Sequence, residues 1–144
     1  MSQSIPAREL GLFYRRYATL LRHGSKHPSA LNAVLLDTRH PQLRQVISAL
    51  KDSIERGLPL HEAFGAQAET FGAVTVAAVK AGEQSGGHLH ETLEHLARLT
   101  ELEAKSQWNA GRDRQGVSSS SLVLLLAGYV TLLALSASHL LRRN

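Results

Sequence analysis

Histidines are the residues of this chain with the most obvious chemical potential, because imidazole serves as metal ligand and as general base. The sequence has eight of them in 144 residues. His88, Glu91 and His95 are spaced i, i+3 and i+7, so one face of a helix can present all three. Zinc requires three or four converging ligands, and the segment HETLE lacks the second histidine of a His-Glu-x-x-His motif. The pattern favours a solvated helix face, and we predict no metal site.

Other catalytic signatures are absent from the sequence. The glycine-rich segment 82–87, GEQSGG, has no lysine followed by serine or threonine, so it does not fit a phosphate-binding loop. No nucleophile–base pair and no dinucleotide fingerprint is recognisable, and the sequence contains no cysteine. We therefore predict a protein that is not an enzyme and that needs no cofactor.

The same glycine-rich segment predicts a tight connection between two helices. Gly82, Gly86 and Gly87 bracket it, and glycine adopts the positive φ that such connections require. Glu83 lies within it, where a carboxylate can favourably cap the N-terminus of the helix that follows. The sequence thus predicts a structural turn here.

Apolar residues recur at spacings of three and four along most of the chain, which predicts an all-α fold. The segment from Phe71 to Ala81 is also rich in valine, which favours strands, but its small residues suit the centre of a helical bundle. Prolines and glycines punctuate the pattern. They delimit six predicted helices, at about residues 6–23, 29–38, 41–56, 60–67, 71–81 and 88–110.

The sixth predicted helix is the longest and carries a row of leucines. We expect these leucines to form its buried face. They are Leu89, Leu93, Leu96, Leu99 and Leu102.

An apolar run near the end of the sequence predicts a transmembrane helix. Residues 122–141 contain no Asp, Glu, Lys or Arg, and 20 helical residues span roughly 30 Å, the thickness of a bilayer core. Small residues form one stripe along this helix, which favours close packing against another helix in lipid. The stripe consists of Ala127, Thr131, Ala134 and Ser138.

The predicted organisation is therefore a helical bundle at residues 1–110, a polar hinge at 111–121, the membrane span at 122–141 and a short tail at 142–144. Basic residues flank the span almost equally on both sides, so charge alone does not orient it.

Charge is segregated along the sequence. Residues 1–57 carry nine Lys or Arg and four Asp or Glu, a net charge of +5, whereas residues 58–104 carry two and seven, a net charge of −5. The basic part could face nucleic acid, anionic lipid or an acidic protein, but a solvated helix surface explains it as well. Arg15, Arg16, Arg22 and Lys26 would make the nucleic-acid contacts. No known DNA-binding motif is present, and we predict no nucleic-acid partner.

Four segments resemble a known family. They are residues 13–24, FYRRYATLLRHG; residues 57–64, GLPLHEAF; residues 81–89, AGEQSGGHL; and residues 91–99, ETLEHLARL. In this order they resemble the F domain of type II secretion, the cytoplasmic domain of inner-membrane platform proteins in type II secretion systems and type IV pilus machines. Typical members carry two such domains and about three spans, whereas this sequence has one of each.

The resemblance implies a six-helix cytoplasmic bundle in a bacterial inner-membrane protein without catalytic chemistry. It implies partners among the assembly machinery: a cytoplasmic hexameric ATPase, pilin-like subunits, membrane lipid, and further copies of the chain or a second F-domain protein. It also suggests that the glycine-rich turn meets such a partner, so Gly82, Glu83 and Gly86 are candidate interaction residues, together with the basic pair Arg15 and Arg16. A membrane-tethered helical adaptor of another pathway is the alternative function.

Overall fold

The computed structural model describes the backbone of residues 4–116 and the side chains of residues 4–112. Within this part of the chain all regular structure is α-helical, which confirms the predicted fold class. Seven helices follow one another: α1 (Ala7–Arg22), α2 (His27–Asp37), α3 (Pro41–Glu55), α4 (Leu60–Gly65), α5 (Ala68–Phe71), α6 (Ala73–Gln84) and α7 (Leu89–Gly116). The additional element, compared with the six predicted, is the four-residue α5.

The segment with high strand propensity is helical, as predicted, but it begins later. Phe71 ends α5, and Gly72 at φ +80° breaks the chain before α6 starts at Ala73. Only glycine takes such a φ without strain, so Gly72 separates two helices that the apolar pattern merges into one. The second helix also differs, because it begins at His27 rather than at Ser29 and includes Pro28 in its first turn.

Residues 1–105 form one compact unit, and residues 106–144 belong to a second. The core of the first unit is built on aromatic rings from three helices. Phe13 and Tyr17 of α1, Phe64 of α4 and Phe71 of α5 are buried. The ring centres of Phe64 and Phe71 are 4.5 Å apart, and those of Phe13 and Phe71 are 5.9 Å apart. Such ring pairs add to the stabilisation that area burial provides.

Only the first part of the leucine row on α7 is buried. Leu89, Leu93 and Leu96 lie in the core, but Leu99 is 64% exposed and Leu102 is 60% exposed, so the prediction of one continuous buried face is wrong. Three residues advance about 300° around a helix, roughly 60° less than a full turn. After Leu93 the leucines follow at intervals of three, so each one lies roughly 60° further from the face that contacts the core. Ala97, four residues after Leu93, lies on the same face of α7 as Leu93 and is buried.

The described part of α7 continues through residues 111–116, which form the first half of the predicted hinge. No helix described for residues 4–116 is long and apolar enough to cross a membrane. The predicted span at 122–141, with Ala127, Thr131, Ala134 and Ser138, lies outside the described residues.

Candidate interaction surface

Glu83 lies in the last turn of α6 and caps a helix that precedes it in the sequence. Its carboxylate accepts hydrogen bonds from the backbone N–H of Leu60, at 2.9 Å, and of His61, at 3.1 Å. These are the first residues of α4, whose N–H groups have no acceptor within their own helix. The prediction that Glu83 caps the helix after it is therefore wrong: the carboxylate turns back to α4.

The side chain of His61 completes this contact. Its Nδ1 is 2.6 Å from the second carboxylate oxygen of Glu83, and both side chains are about three-quarters covered. Burial by itself raises the pKa of Glu83, but hydrogen bonds from the His61 ring and from the two N–H groups outweigh it and hold that pKa below its usual value. Glu83 is thus an ionised group held by three donors.

A second polar pair lies at the junction of α1 and α2. The hydroxyl of the fully buried Tyr17 is 2.6 Å from Nδ1 of His27. Burial lowers the pKa of His27, and the negative charge of Glu83 partly offsets this effect. Burial also raises the pKa of Tyr17, and the Glu83 charge adds to that increase. Both groups are therefore neutral near pH 7, and the carboxylate of Glu83 acts on them electrostatically.

Gly82, next to Glu83, lies where α6 packs against α7. Of the described glycines it has the least room for a side chain. A Cβ placed on Gly82 would lie 2.6 Å from Oγ1 and 3.0 Å from Cβ of Thr92, and 3.4 Å from Cα of Leu89. Gly82 is buried and helical, so the sequence prediction that it supplies a positive φ is wrong. Its role is to leave room for the neighbouring helix.

The positive φ values of this connection belong to the two later glycines. Gly86 has φ +65° and Gly87 has φ +112°, as predicted for a tight helix–helix turn. Both are exposed, as are Gln84 and Ser85 before them. The turn therefore presents a small polar surface with glycine at its two positive-φ positions, while the Glu83 carboxylate beneath it points to α4.

The other two candidates, Arg15 and Arg16, lie on the exposed side of α1. Arg15 makes a bidentate ion pair with Glu101 of α7, with nitrogen–oxygen distances of 2.8 and 2.6 Å. Arg16 donates a long hydrogen bond of 3.4 Å to the carbonyl of Asp37. One further ion pair, between Arg22 and Glu94 at 3.2 Å, joins the same two helices as Arg15. The arginines thus hold α1 against its neighbours at the protein surface.

The structure separates the five sequence candidates into two groups. Gly82, Glu83 and Gly86 lie at the α6–α7 corner, whereas Arg15 and Arg16 lie on α1. His61 and the Tyr17–His27 pair were not predicted. His61 is 22 residues from Glu83, and no sequence period connects them. His27 directly precedes a proline at a helix start, and this signal could have drawn attention to it.

Within the described residues, no group of three or more His, Cys, Asp or Glu side chains is placed to hold a metal ion. His88 pairs with Glu91 at 3.2 Å on the exposed start of α7. In the same part of the chain, every buried side-chain nitrogen or oxygen has a hydrogen-bond partner. Some of these contacts join helices, as between Tyr17 and His27, and others lie within one helical segment, as between Thr38 and Val34.

The fold and its polar contacts define a class of protein: an α-helical bundle in which the recognisable sequence motifs fix helix–helix junctions. A sequence model of the family described as "Type II secretion system (T2SS), protein F" matches residues 13–137, most of the chain. The chain belongs to the type II secretion system protein F family, which confirms the resemblance seen in its motifs.

Individual relatives agree with this assignment. The chain is 31% identical over 103 residues to the type II secretion system protein F of Vibrio cholerae, covering 72% of this chain and 25% of the relative. It is 28% identical over 120 residues to the type IV pilus assembly protein PilC of Thermus thermophilus, covering 83% and 28%. It is 32% identical over 89 residues to the type II secretion system protein F of Xanthomonas campestris, covering 62% and 22%. The chain thus spans about a quarter of the length of these relatives.

Proposed function

We propose that this chain is a platform component of a type II secretion or type IV pilus-like machine. In this role it acts as a non-catalytic scaffold in the bacterial inner membrane and couples a cytoplasmic assembly ATPase to the assembly of pilin-like subunits. The observation that carries the proposal is the family match across residues 13–137, together with relatives named for both kinds of machine.

The proposal includes a topology. Residues 122–141 cross the membrane as a helix, and the bundle lies on the cytoplasmic side. The small-residue stripe packs against another membrane helix, either of a second copy or of another machine protein. Its members are Ala127, Thr131, Ala134 and Ser138.

The α6–α7 corner is the surface that we assign to the assembly partner. Its turn is exposed at Gln84, Ser85, Gly86 and Gly87, while the inward contacts of Glu83 hold the same corner in place from below. Residues that bind partners are often carried by exposed turns on a rigid helical scaffold, which favours recognition at this corner.

The proposal is tested by crosslinking in cells. The tagged full chain is expressed at its native level, crosslinked briefly and extracted in mild detergent, and the proteins that accompany it are identified by mass spectrometry. We expect an assembly ATPase together with pilin-like subunits or a second F-domain protein.

A pair of matched variants locates the contact. Gln84→Arg changes the exposed turn, and Gln45→Arg makes the same exchange on the exposed face of α3. We expect Gln84→Arg to reduce recovery of the partner and Gln45→Arg to leave it unchanged. Recovery of soluble proteins from another pathway, without any assembly ATPase, would contradict the proposal and favour a membrane-tethered adaptor.

A further inference from the structure

The last turn of α6 is held by two neighbouring helices through two consecutive residues. Gly82 packs against α7, where a Cβ on this glycine would lie only 2.6 Å from Oγ1 of Thr92. Glu83 reaches the other way, and its carboxylate accepts hydrogen bonds from the N–H groups of Leu60 and His61 at the start of α4. The end of α6 is therefore tied both to the helix that follows it and to a helix that precedes it.

The exposed α6–α7 turn is bonded to the same segment. The backbone N–H of Ser85 donates to the carbonyl of Ala81 at 3.1 Å, and the Ser85 hydroxyl donates to the carbonyl of Gly82 at 2.9 Å. Both acceptors lie in the last turn of α6, which also carries Glu83. A displacement of the exposed turn therefore acts on the residues that position the Glu83 carboxylate.

The first turn of α4 depends strongly on this carboxylate. The helix has only six residues, and Pro59 before it supplies no side-chain hydrogen bond. A helix of this length is not stable by itself and needs contacts from the rest of the protein. Leu60 and Phe64 are buried and hold α4 in the core, so the change open to it is local. Its first turn can be capped or uncapped, and the position of Glu83 decides between these two states.

We propose that Glu83 couples the exposed α6–α7 turn to the first turn of α4. A partner bound at the α6–α7 turn then changes the stability of the α4 start. Because such coupling is reciprocal, the state of the α4 start also changes the affinity for that partner. The existence of the partner rests on the proposed function, whereas the coupling itself is a property of the chain.

Amide hydrogen exchange in the full chain, in mild detergent, tests the coupling from the turn towards α4. Gly86→Ala strains the turn, because Gly86 has φ +65°. We expect exchange at Leu60 and His61 to become about fivefold faster or more. Gly72→Ala is the matched control, since Gly72 is exposed, has φ +80° and lies at the other end of α6. We expect this control to leave both amides unchanged.

A second set of variants tests the coupling from α4 towards the turn. His61→Ala removes the ring nitrogen that lies 2.6 Å from the Glu83 carboxylate, and Glu62→Ala changes the next residue of α4, which is exposed. We expect His61→Ala to accelerate exchange of the Ser85 amide about fivefold or more, and Glu62→Ala to leave it unchanged. His61→Asn retains a side-chain N–H donor and should restore most of the protection.

Unchanged exchange across the junction in a folded Gly86→Ala or His61→Ala variant would overturn the coupling, as would an equal increase in the matched control. Protection of the Tyr17 amide in α1 shows whether a variant is folded. Each direction has its own variant, so misfolding of one leaves the other to decide. No partner takes part in these measurements, so failure of the coupling and failure of the proposed function are distinguishable.

Discussion

Glu83 and Arg15 are charged residues at two helix junctions of one bundle, and we expect them to contribute very differently to its stability. The carboxylate of Glu83 meets three donors, two of which are backbone N–H groups of α4 that have no other acceptor in a helix. The guanidinium of Arg15 meets the carboxylate of Glu101 with short distances, but both side chains are substantially exposed, at 54% and 35%. Water and salt compete with an exposed ion pair, whereas they compete much less with a covered one.

The comparison shows that the environment of a charge, rather than the length of its contact, decides what the charge stabilises. The closest Arg15–Glu101 distance equals the His61–Glu83 distance, at 2.6 Å. Nevertheless we expect loss of Glu83 to loosen a helix start and loss of Arg15 to change little. The following predictions test this difference, from the largest expected effect to the smallest.

Replacement of Glu83 by alanine should have the largest effect. Loss of a helix cap and of a charge-assisted hydrogen bond together should lower the free energy of unfolding by about 2 kcal/mol. The measurement is chemical denaturation of the full chain in mild detergent. Glu91→Ala is the matched control, since Glu91 lies in the first turn of α7, where a carboxylate is also near free helix N–H groups, but is exposed. Equal losses for the two variants would contradict the distinction.

Replacement of Gly82 by alanine should have a smaller effect on the same corner. The added Cβ collides with Thr92, and the cost of overpacking, about 1–3 kcal/mol, is partly offset by the better helix propensity of alanine. We expect a net loss of about 1 kcal/mol. Thr92→Ala removes the closest colliding atom, so a double-mutant cycle should show a favourable coupling between the two substitutions. If the two changes in unfolding free energy simply add, the contact between Gly82 and Thr92 does not limit the packing of α6 against α7, which would contradict this prediction.

Acidification should destabilise the fold in two stages. The pKa of His27 is lowered from its ordinary 6.5, so its contribution is fully present above pH 6.5 and is lost as the pH falls through the folded pKa. The pKa of Glu83 is lowered from its ordinary 4.5, so its contribution is lost below pH 4.5 in the same direction. Denaturation midpoints measured from pH 8 down to about pH 2 check both stages. His27→Gln should remove the first stage and Glu83→Gln the second, and a stability that rises on acidification would disprove the account.

The exposed ion pair should have the smallest effect. A double-mutant cycle with Arg15→Ala and Glu101→Ala should give a coupling energy of about 0.5 kcal/mol or less, and added salt should reduce it further. A coupling as large as that between Glu83 and His61, measured by the same method, would remove the contrast between the two junctions.

Local patterns predict much of this fold. The apolar repeat of α1, with Phe13, Tyr14 and Tyr17 facing inward, and the glycines at positions 24 and 57 that follow α1 and α3 are visible in the sequence because they depend on neighbours within one or two turns. The motifs also identify the family. These features require no knowledge of which helices touch.

The details of the candidate site depend on contacts between distant residues, and these are where prediction failed. A glutamate before a helix is expected to cap that helix, and nothing near Glu83 in the sequence indicates that Leu60 and His61 lie closer to it. Gly82 looks like a turn residue until Thr92 is seen against it. Leu99 and Leu102 look buried because leucines repeat at three-residue intervals, although such a repeat rotates away from the core.

The most direct test of the central claim is amide hydrogen exchange at the start of α4. The amides of Leu60 and His61 have no acceptor in their own helix, and ordinarily such amides exchange rapidly. If Glu83 caps α4 from α6, both amides should be protected in the wild-type chain and should exchange rapidly in Glu83→Ala, while protection at Tyr17 in α1 is unchanged. Rapid exchange at Leu60 and His61 in the wild-type chain would contradict the account.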